Sequence, residues 1–191
     1  MKKVVMVLLL SLCFAVPAFA GKSIVVAVPA AIPPMAFVGD DGELTGYSVD
    51  YIKAVAEEGG FEVELKNIPW SGIFAGLVKG EFDAICGAVS ITEKRKKVVD
   101  FTGAYFEIWD ALVVGKKSDA KSLADLQGKK VGGKLGSTSF QALTKTDGIE
   151  AIGFATADML LEALAENQVD AVVYDEVIRY IMPLKKIIKR H

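Results

Sequence analysis

The residues that could do chemistry begin with one arginine close to two hydroxyl groups. Arg95 follows Ser90 and Thr92, downstream of the strand-like run 82–85. A guanidinium can take a carboxylate through two parallel hydrogen bonds, and Ser90 and the N–H groups of a helix that begins near Thr92 would add donors. The pattern therefore predicts a carboxylate-binding site. The competing interpretation makes Thr92 only an N-cap and Arg95 one cation on a solvated helix face.

A second polar pair lies further along the chain. Ser137 and Thr138 follow a predicted strand and Gly136, and they begin a predicted helix. Backbone N–H groups at a helix start point toward an anion, so this pair could oppose the arginine across a binding site. Ordinary N-capping is the alternative explanation for the same residue types.

These residues need a scaffold, and the hydrophobic pattern predicts an α/β fold in which short strands alternate with amphipathic helices. A first series comprises strands at 24–28, 61–66 and 82–86 and helices at 47–58 and 70–79. A connecting strand at 110–114 leads to a second series, with helices at 122–126, 137–143 and 156–166 and strands at 130–134, 149–154 and 170–174. We place a boundary between two lobes near residue 112. Ligands of open α/β sheets bind beyond the carboxyl ends of the strands, and a cleft between lobes can close by hinge motion.

Several segments, taken in order, resemble a known family. They are Leu44–Asp50, Trp70–Ile73 with the residues up to Asp83, Ser90–Arg95, Gly136–Thr138 and Asp170–Asp175. The chain resembles the amino-acid-binding branch of the bacterial periplasmic solute-binding proteins, family 3, from about Ile24 to about Tyr180. These receptors feed ABC importers. The resemblance implies the two-lobed type II periplasmic-binding fold with a hinge and a cleft, an amino-acid ligand, and a membrane permease as partner.

The resemblance also implies which residues hold the ligand backbone. Arg95 would pair with the α-carboxylate, and Ser90 and the backbone near Ala88 would bond the same zwitterion from lobe one. Ser137 and Thr138 would form the opposing jaw from lobe two.

Three further positions match residues that contact the rest of the ligand in this family. Asp175 would pair with the α-ammonium group, although an isolated carboxylate there could simply cap the following helix. Trp70 would pack on the ligand side chain, or serve as a partly buried wedge at a helix start. Lys134 can reach the side-chain end of the pocket, or be a solvated lysine at a strand end. We assign Tyr105 and Trp109 to packing at the hinge.

One departure from the family pattern concerns ligand specificity. Amino-acid receptors commonly carry an acid and then an aromatic ring after the first strand, where this chain has Pro29 and Ile32 followed by Pro33-Pro34-Met35. Ile32 would make the side-chain pocket more apolar than usual, and no carboxylate is evident there to neutralise a cation. We therefore expect an apolar or uncharged polar amino acid rather than a cationic one.

The N-terminal residues predict export to the periplasm. Two lysines precede the apolar run 4–12, and Ala18-Phe19-Ala20 supplies the small residues of a cleavage site. We expect residues 1–20 to be a signal peptide. Removing its two lysines changes the formal net charge from −2 to −4, which does not suggest a nucleic-acid partner.

The remaining composition argues against enzymatic chemistry. The only histidine is His191. This argues against a histidine-based catalytic triad and against a multi-ligand zinc site. We expect no catalytic residues, no cofactor and no metal. Cys86 reads as a small buried residue on a strand.

The C-terminal part departs furthest from the resemblance. We expect lobe one over 21–112, lobe two over 113–185 and a basic end over 186–191, without the return segment that completes lobe one in family members. Such a lobe would expose apolar surface. Other interpretations stay open: a sensory ligand-binding module, a dehydratase-type enzyme on the same scaffold with Glu107 or Glu176 as its acid, and a nonfunctional truncated receptor. We expect a monomer.

Overall fold

The computed structural model describes residues 23–178 and the backbone of a strand at 187–190. The predicted signal peptide and the end of the predicted second lobe lie outside the described residues. The strands are β1 (Ser23–Val28), β2 (Ala31–Ile32), β3 (Ala36–Val38), β4 (Leu44–Thr45), β5 (Glu62–Asn67), β6 (Ala84–Ile85), β7 (Asp110–Val114), β8 (Lys130–Lys134), β9 (Glu150–Phe154), β10 (Ala171–Asp175) and β11 (Ile187–Arg190). The helices are α1 (Tyr47–Gly59), α2 (Ile73–Lys79), α3 (Glu93–Lys96), α4 (Thr138–Leu143) and α5 (Ala157–Ala165).

The first lobe is built on a small parallel sheet with the strand order β5-β1-β6. Its central strand β1 becomes fully buried toward its carboxyl end, at Val26, Ala27 and Val28. Alternate residues of that end pack into two clusters, one containing Ile73 of α2 and the other Val49 of α1. A short antiparallel meander, β2-β3-β4, lies between β1 and α1 along the chain. These contacts fix the end of β1 beside the segment that follows β6.

The second lobe is built on a larger sheet with the order β11-β7-β10-β8-β9. Strands β10, β8 and β9 are parallel, whereas β7 is antiparallel to both β10 and β11. Alternate residues of β10 supply two core clusters, with Val172 and Tyr174 in the cluster of α5, and Ala171 and Val173 in the cluster that contains Leu143 of α4. A sheet covered on both faces explains the nearly continuous apolar sequence of this strand.

The predicted alternation of strands and helices is confirmed as mixed α/β structure, although several elements differ in detail, and the helix predicted at 70–79 begins as a 3-10 turn at Trp70–Gly72. The helix predicted at 122–126 is a 3-10 turn, Leu123–Leu126, whose N-terminus is stabilised by a capping box between Ser122 and Asp125. The strand predicted at 82–86 pairs over only two residues, and the chain then bends at residues 87 and 88, where Ala88 has φ 51°.

Strand β7 belongs entirely to the larger sheet. All five of its residues pair with β10, and the predicted lobe boundary near residue 112 falls inside it. We propose a boundary before Asp110 instead, because a strand and its hydrogen-bonded neighbours form one layer. The predicted ranges of the two lobes otherwise stay predictions.

An open groove runs along the first lobe between α2, β6 and the segment 97–109, which contains no helix or strand. Large apolar side chains are exposed in or near it, among them Val98, Phe106 and Trp109. Within the described part of the chain, β6 pairs only with β1 and so leaves one strand edge open. No helix in the described part of the chain is long and apolar enough to span a membrane.

Gly46 allows the start of α1 to lie against the backbone of residues 34 and 35. The N–H groups of Tyr47 and Ser48 donate to the carbonyls of Pro34 at 3.0 Å and Met35 at 2.8 Å. Gly46 has φ 115°, and a Cβ there would lie 2.7 Å from the Pro34 oxygen and 2.8 Å from the Met35 oxygen.

We expect Gly46→Ala to lower the free energy of unfolding by about 2 kcal/mol or more, since such backbone strain costs on the order of 1–3 kcal/mol and the contacts are to main-chain atoms. Gly103→Ala is the matched control, because a Cβ at this exposed site would meet nothing within 4 Å. It should change stability by less than about 0.5 kcal/mol, or slightly stabilise. Urea unfolding followed by circular dichroism measures both variants; equal midpoints would contradict the assignment.

Candidate functional site

One cavity between the two lobes is lined by every residue that the sequence analysis nominated for a ligand site. Its described lining residues are Ile32, Trp70, Ala88, Ser90, Arg95, Lys134, Ser137, Thr138, Tyr174 and Asp175. Tyr174 is the one residue that was not nominated. The cavity lies beyond the carboxyl ends of β1, β8 and β10, which is where ligands of open α/β sheets bind.

Arg95 is held in this cavity by groups from both lobes. It sits in the single turn α3, where the Thr92 hydroxyl accepts the Arg95 backbone N–H at 3.2 Å. Its Nη1 donates to the Ser90 carbonyl at 2.7 Å, and its Nη2 donates to the Gly136 carbonyl at 3.2 Å. The competing interpretation is therefore right about Thr92 as an N-cap. It is wrong about Arg95, which is only 9% exposed, whereas its neighbour Lys96 is exposed to solvent.

Two aromatic rings enclose the guanidinium. Cζ of Arg95 lies 5.3 Å from the ring centroid of Trp70 and 5.0 Å from that of Phe74. The electron-rich faces of such rings attract a cation and shield it from water. Burial lowers the pKa of Arg95 and the charge of Asp175 raises it. A guanidinium stays protonated under such shifts, so the site keeps a positive charge.

Trp70 connects the two lobes. It begins the 3-10 turn Trp70–Gly72 and packs edge-on against Phe74, with ring centroids 5.7 Å apart. Its Nε1 is so close to Gly136 that a Cβ there would lie 3.0 Å away. Gly136 also has φ 78°, so both its conformation and its neighbour favour glycine. Trp70 is half-buried, and its position fits the wedge interpretation and a ligand contact alike.

In the opposing jaw, the Ser137 hydroxyl already makes hydrogen bonds within the protein. Ser137 caps α4: its Oγ accepts the Phe140 N–H at 3.1 Å, contacts the Ser139 hydroxyl at 2.9 Å, and donates to the Lys134 carbonyl at 2.8 Å. The N-capping alternative therefore describes this hydroxyl. Thr138 is the first residue of α4 and also lines the cavity.

Asp175 ends β10 and carries the negative charge of the site. It lies opposite Asp110 in the antiparallel register of β10 and β7. Burial, with a smaller contribution from the charge of Asp110, raises the pKa of Asp175 to about 6, and Lys134 and Arg95 oppose this only in part. A carboxylate that is costly to ionise in isolation gains from a further cationic partner.

Lys134 ends β8 and is only 5% exposed, so the alternative of a solvated strand-end lysine is wrong. Its Nζ lies 5.3 Å from the ring centroid of Trp70 and 5.9 Å from that of Tyr174. Burial lowers the pKa of Lys134, and the charge of Asp175 opposes that shift. Lys134 lies at the end of β8, next to the end of β10, and no local sequence pattern indicated that its side chain would be buried there.

Sequence reasoning underestimated Tyr105, which was assigned to hinge packing. Its hydroxyl accepts the Ala88 N–H at 3.2 Å and bonds the Ser48 hydroxyl at 3.0 Å, and its ring stacks on Tyr51 at 4.3 Å. Burial raises the pKa of Tyr105. Because Tyr105 takes the Ala88 N–H, that N–H is not available to a ligand in the described arrangement. Nothing in the irregular segment around Tyr105 marked this bond in advance.

Comparison with known proteins agrees with this architecture. The family model for bacterial extracellular solute-binding proteins, family 3, matches residues 24–152. The chain belongs to this family. The predicted family membership and the type II periplasmic-binding fold are thus confirmed.

Curated relatives of this solute-binding protein carry names that refer to different amino acids. A probable histidine-binding protein of Neisseria gonorrhoeae is 32% identical over 162 residues, which are 83% of this chain and 60% of that protein. The L-cystine-binding protein TcyJ of Escherichia coli strain K12 is 32% identical over 158 residues, which are 81% of this chain and 59% of that protein. The chain therefore spans about 60% of the length of these relatives.

Solved structures are similar over most of this solute-binding protein. An ancestral arginine-binding protein bound to glutamine superposes with a TM-score of 0.81 at 38% identity, covering 88% of this chain and 78% of that one. A Gly52Ala mutant of the arginine-bound arginine-binding protein from T. maritima gives a TM-score of 0.80 at 31% identity, covering 87% and 81%.

The raised pKa of Asp175 predicts how stability depends on pH. The folded pKa is about 6 and the ordinary value is 3.8, so between these values the unfolded chain releases this proton before the folded one does. The contribution of Asp175 to stability is therefore fully present below about pH 4 and falls as the pH rises to about 6.

We expect Asp175→Asn to gain stability relative to the wild type over that interval, by on the order of 1–3 kcal/mol, and then to level off. Urea unfolding at pH values from about 4 to about 8 measures the difference. Asp40→Asn, on an exposed turn, controls for the loss of one surface charge. A wild-type advantage that grows with pH would contradict the burial argument.

Proposed function

We propose that this solute-binding protein captures a free L-amino acid between its lobes in the periplasm and presents it to the membrane permease of an ABC importer. The observation that carries the proposal is that Arg95 and Asp175, of opposite charge, line one cavity from different lobes. An amino acid carries a carboxylate and an ammonium on one carbon. Arg95 would take the first and Asp175 the second.

The guanidinium has donors to offer. Nη1 and Nη2 each make one hydrogen bond to a backbone carbonyl, while its remaining N–H groups have no acceptor among the described residues. Ser90, Thr138 and Ala88 line the same cavity, so their polar groups could add hydrogen bonds to the ligand. A ligand that contacts both lobes binds their closed arrangement best, so binding and closure are coupled. We propose that the protein acts as a monomer.

The side chain of the ligand is proposed to be other than cationic. Among the described lining residues Asp175 is the only acid, and the α-ammonium would use it. Ile32, only 4% exposed, adds an apolar wall. Curated relatives include proteins named for arginine and histidine, and the solved ancestral arginine-binding proteins hold arginine or glutamine. Proteins on this scaffold are thus named for, or hold, different amino acids, and we take this chain's own residues as the guide to its ligand.

The structure gives no specific support to an enzyme. One similar structure is an ancestral amino acid-binding protein described as a precursor of cyclohexadienyl dehydratase, with a TM-score of 0.81 at 31% identity. The acids that a dehydratase-type reaction could recruit here were Glu107 and Glu176. Glu107 lines the groove on the first lobe, and Glu176 is not among the described residues that line the cavity.

The test is amino-acid binding by the purified protein and by Arg95→Ala. In a thermal-shift screen of the common amino acids, a ligand at about 100 times its Kd should stabilise the folded wild type by roughly 2.7 kcal/mol. Arg95→Ala should weaken binding by at least about 30-fold in calorimetry, because truncating one partner of a buried charge pair costs about 2–5 kcal/mol.

Lys96→Ala is the matched control, since Lys96 is the next residue of α3 but is exposed. It should bind like the wild type, and circular dichroism should show that both variants are folded. Wild-type affinity in folded Arg95→Ala, or a cooperative wild-type transition that no amino acid shifts, would overturn the proposed function.

A further inference from the structure

Lys134 differs in its burial from the lysines of the described chain that form ion pairs. Lys66, Lys96 and Lys129 are exposed and each forms an ion pair within 4.0 Å of a carboxylate. Lys134 is 5% exposed and forms none with a described residue. The structure thus buries one ammonium group in the cavity wall with no described carboxylate within 4.0 Å. Such burial is costly unless a partner completes it.

The charges of the cavity do not balance among its described lining residues. Arg95 and Lys134 contribute two cations, and Asp175 contributes the one acid. Asp175 interacts with both cations, so whichever it favours, the other lacks a matching charge. A zwitterion with a neutral side chain brings one charge of each sign and leaves this excess in place. A ligand with one additional negative charge removes it.

The two cations also share a wall. Cζ of Arg95 and Nζ of Lys134 each lie 5.3 Å from the ring centroid of Trp70. Because Trp70, Arg95 and Lys134 line the same cavity, a short ligand in it could reach the guanidinium with one end and the ammonium with the other. The ring and Ile32 would contact the aliphatic carbons between those ends.

We infer that Lys134 selects an amino acid whose side chain ends in an acyl oxygen, a carboxylate or its amide, with the carboxylate preferred. This inference rests on the proposed function, since it assumes that Arg95 and Asp175 hold the α-carboxylate and the α-ammonium. The Lys134 ammonium donates hydrogen bonds and accepts none. It therefore complements glutamate-like and glutamine-like side chains and repels the side chains of arginine and lysine.

The experiment compares L-glutamate, L-glutamine, L-methionine and L-arginine by isothermal titration calorimetry on the wild type and on Lys134→Met. Methionine supplies a side chain of similar length without an acyl oxygen or a charge. The wild type should bind glutamate or glutamine at least about 10-fold more tightly than methionine, and arginine most weakly. Lys134→Met should reduce the ratio of glutamate to methionine affinity by at least about 10-fold. The ratio cancels any general loss of folded protein.

Lys130→Met is the matched control, because Lys130 begins the same strand, β8, and is exposed. It should leave all four affinities unchanged. Lys134→Met should lose more affinity for glutamate than for glutamine, because the charge of the carboxylate is recognised, and equal losses would contradict the preference for the carboxylate.

Two results would overturn the inference while leaving the proposed function standing: arginine or methionine binding the wild type more tightly than both acyl ligands, or Lys134→Met weakening all four ligands equally. Failure of the proposed function would give a different result in the same titrations. In that case no amino acid binds the wild type, and the inference falls with it.

Discussion

The site depends on keeping the guanidinium of Arg95 buried. A buried charge is tolerated only when hydrogen bonds and nearby charges replace the water that it loses. Here the carbonyls come from Ser90, five residues before, and from Gly136, forty-one residues after. The rings of Trp70 and Phe74 enclose the remaining sides. The contacts of Arg95 are therefore among those that hold the two walls of the cleft together.

Several local features serve this arrangement. Gly136 has no side chain, and a Cβ at that position would meet the Trp70 indole. Ala88 is turned out of the first sheet in a left-handed conformation and is held there by its bond to the Tyr105 hydroxyl. Ser137 caps α4 with the same hydroxyl that bonds the Lys134 carbonyl. Functional positions are held accurately when surrounding residues lock them in this way.

The same charges make the cavity costly for the folded protein. Burial makes the charge of Asp175 costly, and the charge of Asp110, which lies across from it on the neighbouring strand, adds a smaller repulsion. Lys134 and Arg95 compensate part of this cost. Charged groups whose removal would increase stability are thus concentrated where a small charged ligand could neutralise them. Such a trade between stability and activity is common at binding sites.

The amino-acid sequence by itself determined the alternation of strands and helices, and it offered N-capping as one role for Thr92 and Ser137. These follow from rules that act over a few residues, such as side-chain periodicity and the satisfaction of N–H groups at a helix start. The set of candidate ligand residues came largely from the resemblance to the family, and Tyr174 is the described lining residue that it missed.

Only the tertiary structure decided which polar side chains are buried. Arg95 and Lys134 each had a solvated alternative in the sequence, and contacts with Trp70, Gly136 and Tyr174 removed it. The bond between Ala88 and Tyr105 and the placement of all of β7 in the larger sheet were likewise decided by segments far apart in the chain. The burial and the charge balance of a side chain depend on whatever packs around it, and the residues that flank it in sequence supply only part of that surrounding.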